Sequence, residues 1–210
     1  MIRAVHFRRW AVLELVALVG IIYLGSLFQA SAELATGAPA PAFKVASAAG
    51  PQISLSDYKG KTVVIEWTNP DCPYVKKHYD SGNMQKLQQE AATKGIVWLT
   101  VTSASPGKQG YVNALDAQSW VDRQKATPKA ILLDPDGRMA DAYGVTLALH
   151  MFVIDPQGHM AYQGAVDDKP TSKIADVAGA NNYVRTAMAA VAAGAPPKPS
   201  VTRPYGCSAR

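Results

Sequence analysis

The sequence predicts an α/β sandwich built around a mixed β-sheet. Three observations predict it. Buried strand patterns alternate with helical ones from residue 61 to 126; two apolar strands, Ile131-Leu-Leu-Asp-Pro-Asp-Gly137 and Phe152-Val-Ile-Asp-Pro-Gln-Gly158, then each close in the same Asp-Pro-X-Gly turn; a hairpin return and an Ala-rich helix finish the pattern. The 210 residues, 48% hydrophobic and 18% charged, suit one globular domain with extensions and exclude a disordered or collagen-like polymer.

Residues 1–32 read as a signal peptide. Arg3, Arg8 and Arg9 precede a mostly apolar run from Trp10 to Phe28, and Ala30-Ser31-Ala32 offers small residues at the cleavage positions, so a mature chain would start at Glu33. The same run is long enough to serve as an uncleaved N-terminal anchor. Either way the remainder is expected outside the cytoplasm, periplasmic or otherwise extracytoplasmic, touching a membrane only through this segment. Without Arg3, Arg8, Arg9 and Glu14 the chain carries 18 basic and 15 acidic residues, with no basic run beyond a pair, which speaks against nucleic acid as a partner.

Residues 33–42 form a Pro/Ala spacer, residues 43–193 the domain, and residues 194–210 an extended tail. Within the domain, Gln52 to Leu55 reads as a short strand and Asp57-Tyr-Lys-Gly60 as a turn. Lys61 to Trp67, with its β-branched run Thr62-Val-Val-Ile65, reads as a buried strand. Pro73 to Ala92 reads as one helix stopped by Gly95, Ile96 to Thr102 as the next strand, Ser103 to Gly110 as a long loop and Asp116 to Ala126 as an amphipathic helix. In each Asp-Pro-X-Gly turn, proline presets the second position and glycine takes the fourth. His159 to Val166 returns as a hairpin strand, and Asn181 to Ala193 is the closing helix. Trp67 and Trp98 fall in buried strand patterns and read as core.

The chemistry concentrates in Asn69-Pro-Asp-Cys72-Pro73-Tyr74, between a buried strand and a helix. A cysteine there sits at the helix N-terminus, where unpaired backbone amides and the helix dipole favour an anion and lower a thiol pKa. Pro73 suits the first helical position, where its missing N–H costs nothing. The bland reading of Cys72 is a small buried hydrophobe. Lys76 and Lys77 either add positive potential or form a solvated face. His78 and His150 either line the site or pack as ordinary buried histidines.

In Ala40-Pro-Ala-Phe43, Ile53-Ser-Leu-Ser-Asp-Tyr-Lys-Gly-Lys61, the Cys72 turn with Lys77-His78-Tyr79, Tyr143-Gly144 and His150-Met-Phe-Val-Ile-Asp155, the chain resembles the redoxin branch of the thioredoxin-like superfamily, near the alkyl hydroperoxide reductase and thiol-specific antioxidant proteins. The resemblance covers roughly residues 39–166. It implies a thioredoxin-like sandwich, a central mixed sheet flanked by helices, and a thiol oxidoreductase attacking through Cys72. The family's patterns are departed from in three places. Thioredoxins carry a second cysteine at this turn, and here Val75 stands three residues after Cys72. Peroxiredoxins usually place Thr or Ser three residues before the cysteine, and here that is Asn69. A cis-proline normally precedes the strand at Met151, and here that is Leu149, whose peptide bond should be trans; a proline at 149 would accordingly be tolerated.

Cys207 lies in Thr202-Arg-Pro-Tyr-Gly-Cys-Ser208, after the Pro-rich stretch 195–199, and related redoxins end in a similar Tyr-Gly-Cys segment. Thirteen residues separate Gly194 from Cys207, a reach of about 40 Å at roughly 3.1 Å each, a domain's width, so the tail has the reach to bring Cys207 to Cys72. The alternative is an unstructured terminus with an incidental thiol. The leading expectation is therefore an exported oxidoreductase in which Cys72 attacks a peroxide or a protein disulfide, Cys207 resolves the product, and a thiol reductant restores the pair. Asn69, Pro73, Leu149 and His150 would line the substrate site. No metal or other cofactor is expected. Two rivals use the same fold: a copper carrier holding metal with Cys72 and His150, though Lys76 stands where such carriers need a second cysteine, and a degenerate redoxin that only binds partners.

Overall fold

The computed structural model describes residues 34–210. The proposed signal or anchor, residues 1–32, lies outside the described residues. A hairpin of β1 (Lys44–Ala46) and β2 (Gln52–Ser54) leads into β3 (Val63–Trp67), α1 (Pro73–Asp80), α2 (Asn83–Thr93), β4 (Val97–Thr102), α3 (Ala114–Gln124), β5 (Ala130–Leu133), α4 (Arg138–Ala142), β6 (Met151–Ile154), β7 (Met160–Gly164) and α5 (Tyr183–Ala192). The main sheet runs β5-β4-β3-β6-β7. β3 pairs in parallel with β4, and β4 with β5, while β6 is antiparallel to both β3 and β7, so the sheet is mixed as expected.

β3 and β4 are buried at every position, which is why they read as largely apolar runs, broken only by Glu66, Thr100 and Thr102, and not as alternating ones. Their side chains still alternate between two cores. Val64 and Trp98 join the core beneath α1, α2, α3 and α5, with Val75, Leu87, Trp120 and Met188. Val63, Ile65, Trp67 and Leu99 join the opposite core, with Met139 of α4, Tyr143 and Phe152. Trp67 and Trp98 are core residues, both essentially inaccessible.

One helix expected over Pro73–Ala92 is two. Gly82 takes a left-handed conformation (φ 74°) between α1 and α2, and the Ser81 and Gly82 amides close the end of α1 on the Lys77 and Tyr79 carbonyls. The break frees α1 to be a short helix aimed at one spot.

The two Asp-Pro turns diverge in use. Asp134 accepts hydrogen bonds from the Met139 and Ala140 amides and from Ser103 Oγ, starting α4, whereas Asp155 accepts from the Gln157 and His159 amides and turns β6 into β7. The segment before Phe43 is extended and paired: Gly37 donates to the Met160 carbonyl, Ala40 to the Gly158 carbonyl, and Met160 to the Ala38 carbonyl.

The tail is ordered too. Gln163 of β7 donates to Ser200 O and accepts from Thr202 N, continuing the sheet edge. The chain then crosses the end of the sheet, with Tyr205 in the first core and Ala209 in the second.

Candidate redox site

β3 ends at Trp67, and the chain turns through Thr68 to Asp71 to deliver Cys72 as the N-cap of α1, with Pro73 at the first helical position. Cys72 N–H donates to Asn69 O at 3.0 Å, and the Cys72 carbonyl accepts the first helical bond from Lys76. Cys72 therefore stands at the N-terminal end of α1, where negative charge is favoured, although its sulfur takes no capping hydrogen bond from the helix amides.

Cys72 is disulfide-bonded to Cys207, with 5.7 Å between the Cα atoms and 135 residues between them in sequence. Cys207 N–H also points at Cys72 Sγ, 3.2 Å away. Cys72 is fully buried and Cys207 partly exposed. The tail reaches Cys72 by running antiparallel to residues 146–148: Ala148 N–H donates to Cys207 O (2.8 Å), Leu147 bridges to Ser208, and Ala209 N–H donates to Thr146 O (3.0 Å).

The other residues named from sequence fall around this bond in different ways. Asn69 is buried and fastens the turn to the tail, its Nδ2 donating to Ser208 O (3.1 Å) and its Oδ1 accepting from Asp71 N–H (3.0 Å). Pro73 is exposed beside the sulfur. Leu149 has a trans peptide bond, but its backbone is left-handed (φ 60°), its side chain is completely buried, and its N–H donates to Trp67 O at 2.7 Å. Proline can supply neither that φ nor that donor, so the expected tolerance of proline at 149 is corrected. The His150 ring packs on Phe152 with centroids 4.3 Å apart, and burial pulls its pKa down to about 4.

Lys77 was expected on a solvated face if it did not add potential to the site; only Lys76 is exposed, and Lys77 is buried with Nζ donating to Lys169 O (2.7 Å). His78 is equally buried. Its Nδ1 accepts from Asn83 Nδ2 (2.8 Å), which leaves the proton on Nε2 to meet Tyr205 OH (3.0 Å). Burial first, and then the Lys77 charge, push its pKa down to about 3. Tyr205 OH in turn donates to Asp167 Oδ1 (2.5 Å).

Sequence reasoning missed Asp167 and Tyr205, although the place of Tyr205, two residues before Cys207, was a usable signal. It also missed Glu66, a charge inside the apolar run of β3. Glu66 is fully buried and accepts from Tyr79 OH (2.8 Å), Trp98 Nε1 (2.9 Å) and Thr100 Oγ1 (3.2 Å), and burial raises its pKa.

A cleft of about 570 Å³ opens beside the tail, with Tyr74, Leu147, Tyr183, Arg203, Tyr205 and Gly206 in its walls.

The profile of the AhpC/TSA family matches residues 36–163. The chain is 24% identical over 156 residues to the thiol-disulfide oxidoreductase ResA of Bacillus subtilis (strain 168), covering 74% of this chain and 82% of that protein. Among solved structures it resembles an uncharacterized conserved protein from Geobacillus kaustophilus (TM-score 0.69, 20% identity, 84% of this chain and 92% of that one). It also resembles a putative thiol:disulfide interchange protein DsbE from Chlorobium tepidum (TM-score 0.58, 21% identity, 76% and 99%). These likenesses show a thioredoxin-like fold.

Proposed function

This chain belongs to the AhpC/TSA family of thioredoxin-like redox enzymes, and on that footing we propose that it exchanges thiols and disulfides with protein partners through the Cys72–Cys207 pair. The observation that carries this reading is the bond itself: one sulfur lies at a helix N-terminus and the other on a tail that leaves it partly exposed. The name of the Bacillus relative agrees with it.

In the reduced protein the tail keeps its place and only the Cys207 side chain rotates off the Cys72 sulfur, giving a partner access to the Cys72 thiolate at the N-terminus of α1. Cys72 attacks one sulfur of a partner disulfide, forming a mixed disulfide and releasing the partner's other sulfur as a thiolate. Cys207 thiolate then attacks Cys72 Sγ, the second partner sulfur leaves as a thiolate, and Cys72–Cys207 forms; two electrons have passed to the partner. A dithiol reductant restores the pair: one of its thiolates attacks the reachable sulfur, Cys207, with Cys72 as the stabilised leaving group, and its second thiolate then attacks its own sulfur in that mixed disulfide, releasing Cys207 and closing the reductant's disulfide. Asn69, held by Asp71 and Ser208, shapes the turn under the substrate, and Pro73 and His150 border it.

We further propose that this happens outside the cytoplasm, as the Arg8-Arg9 start, the apolar run and Ala30-Ser31-Ala32 suggest; a disulfide also persists in such a compartment.

The test is equilibration with glutathione buffers followed by mass spectrometry, alongside turnover of a protein disulfide and of hydrogen peroxide by the reduced protein. Reversible formation of the Cys72–Cys207 bond, with disulfide turnover abolished in Cys72→Ser, is expected. Turnover of peroxide alone would make the protein a peroxidase, and a pair that never oxidises reversibly would end the enzyme reading.

A further inference from the structure

Once the disulfide is reduced, something other than a covalent bond must decide whether Cys207 stays beside Cys72. Across residues 194–210 three residues are buried, Pro197, Tyr205 and Ala209, and of these only Tyr205 has a large side chain; Val201 is half exposed.

The Tyr205 ring is gripped by one face of α1, the helix that carries Cys72. Tyr74 lies 5.8 Å away between ring centroids, Lys77 Nζ sits 5.6 Å over the ring, and His78 meets the hydroxyl, a spacing of three and four residues that lines up along a helix. The hydroxyl completes a chain of buried polar groups, Asn83 to His78 to Tyr205 to Asp167. Asp167 is almost wholly buried, and its second oxygen has no hydrogen bond, only Lys77 Nζ and His78 Nε2, each at 3.9 Å.

We propose that Tyr205 is the positioning residue of the redox pair, holding the tail on α1 through His78 and Asp167 so that Cys207 stays beside Cys72 in the reduced protein. The inference rests on the pair being redox-active, as proposed above. Its logic is a comparison of two states. With the tail seated, loss of the hydroxyl strands the buried His78 N–H and leaves Asp167 Oδ1 with the Lys169 amide alone (3.0 Å). With the tail released, both groups meet water and lose nothing. Forming the disulfide requires the seated tail, so the hydroxyl raises the effective concentration of Cys207 at Cys72 and makes the dithiol a stronger reductant. A residue that only stabilises the domain shifts oxidised and reduced forms alike and leaves that concentration unchanged.

The experiment equilibrates wild type, Tyr205→Phe and Tyr205→Ala with reduced and oxidised glutathione, quenches with acid and measures the disulfide fraction by mass. Tyr205→Phe is expected to lower the effective concentration roughly tenfold, and Tyr205→Ala further. A Tyr205→Phe value within twofold of wild type overturns the proposal while leaving the exchange reading intact. Absence of reversible oxidation in wild type itself removes the exchange reading, and this proposal with it. Should the variants not fold, hydrogen exchange on reduced wild type decides: the Ala209 amide, which donates to Thr146 O, stays protected if the tail is held and exchanges at the rate of a free chain if it is not.

Discussion

Gly206 passes Ala148 so closely that a methyl group at position 206 would stand 2.2 Å from the Ala148 carbonyl oxygen, and its backbone (φ 147°) is one that side chains rarely adopt. The obstacle is backbone, so it cannot swing away. Gly206→Ala should therefore unseat the tail between Tyr205 and Cys207, and the disulfide fraction at a fixed glutathione ratio should fall by at least about tenfold in equilibrium constant. Mass spectrometry of acid-quenched samples checks it, and an unchanged fraction would mean the tail has another path across the sheet end.

Leu149→Pro breaks the donor bond to Trp67 O and demands a φ near −65° where the chain has +60°. The expected loss is about 3 kcal/mol or more. Urea unfolding at neutral pH measures it, and a loss below 1 kcal/mol, on the order of a surface substitution, would contradict this backbone. Proline at 149 was acceptable on sequence alone because a left-handed leucine leaves no mark in a sequence.

Asn69→Ala leaves the Asp71 amide and the Ser208 carbonyl without their side-chain partner. A destabilisation of about 1–3 kcal/mol is expected in the oxidised protein, together with faster reduction by a small dithiol because the tail loses one of its ties to the turn. The two readouts separate turn from tail: if only stability changes, Asn69 serves the turn alone.

His78, buried, and His150, half-buried, are held as neutral rings with pKa values of about 3 and about 4, against 6.5 when solvated, desolvation being the main cause in both. The unfolded chain then binds protons that the folded chain refuses. Their contribution to stability is present above pH 6.5 and is lost as pH falls from there toward about 4 for His150 and about 3 for His78, with a slope of up to about 1.4 kcal/mol per pH unit for each ring. Glu66 works the other way: burial raises its pKa above 4.5, so its contribution is present below that value and lost as pH climbs. Two ring slopes stand against the single opposing slope of Glu66, so urea midpoints should fall between pH 6.5 and 5, and fall less steeply in His150→Gln; a His150→Gln slope equal to that of wild type would mean this ring is not kept neutral.

Much of the frame was readable because its signals are local. Val63 to Trp67 and Val97 to Thr102 are largely apolar on both faces, broken only by Glu66, Thr100 and Thr102, since both faces of each strand are covered, and Cys72 stood out because an Asn-Pro-Asp-Cys-Pro turn must join such a strand to a helix. Ser81-Gly82 was hidden because the apolar positions of α1 and α2 keep nearly the same spacing across the break. The grip on the tail was not readable for another reason. Tyr205 meets His78 across 127 residues and Asp167 across 38, and no pattern along the chain announces that three polar residues will share one buried space.

The bond between Cys72 and Cys207 also divides the chain by what force can reach. A molecule held near Leu34 and Arg210 and pulled apart transmits tension through the disulfide, and the 135 residues it spans stay out of the load path. At about 3.5 Å per extended residue, oxidation withholds roughly 470 Å of contour length. Single molecules stretched in oxidising and reducing buffer would therefore report their redox state as a difference in length.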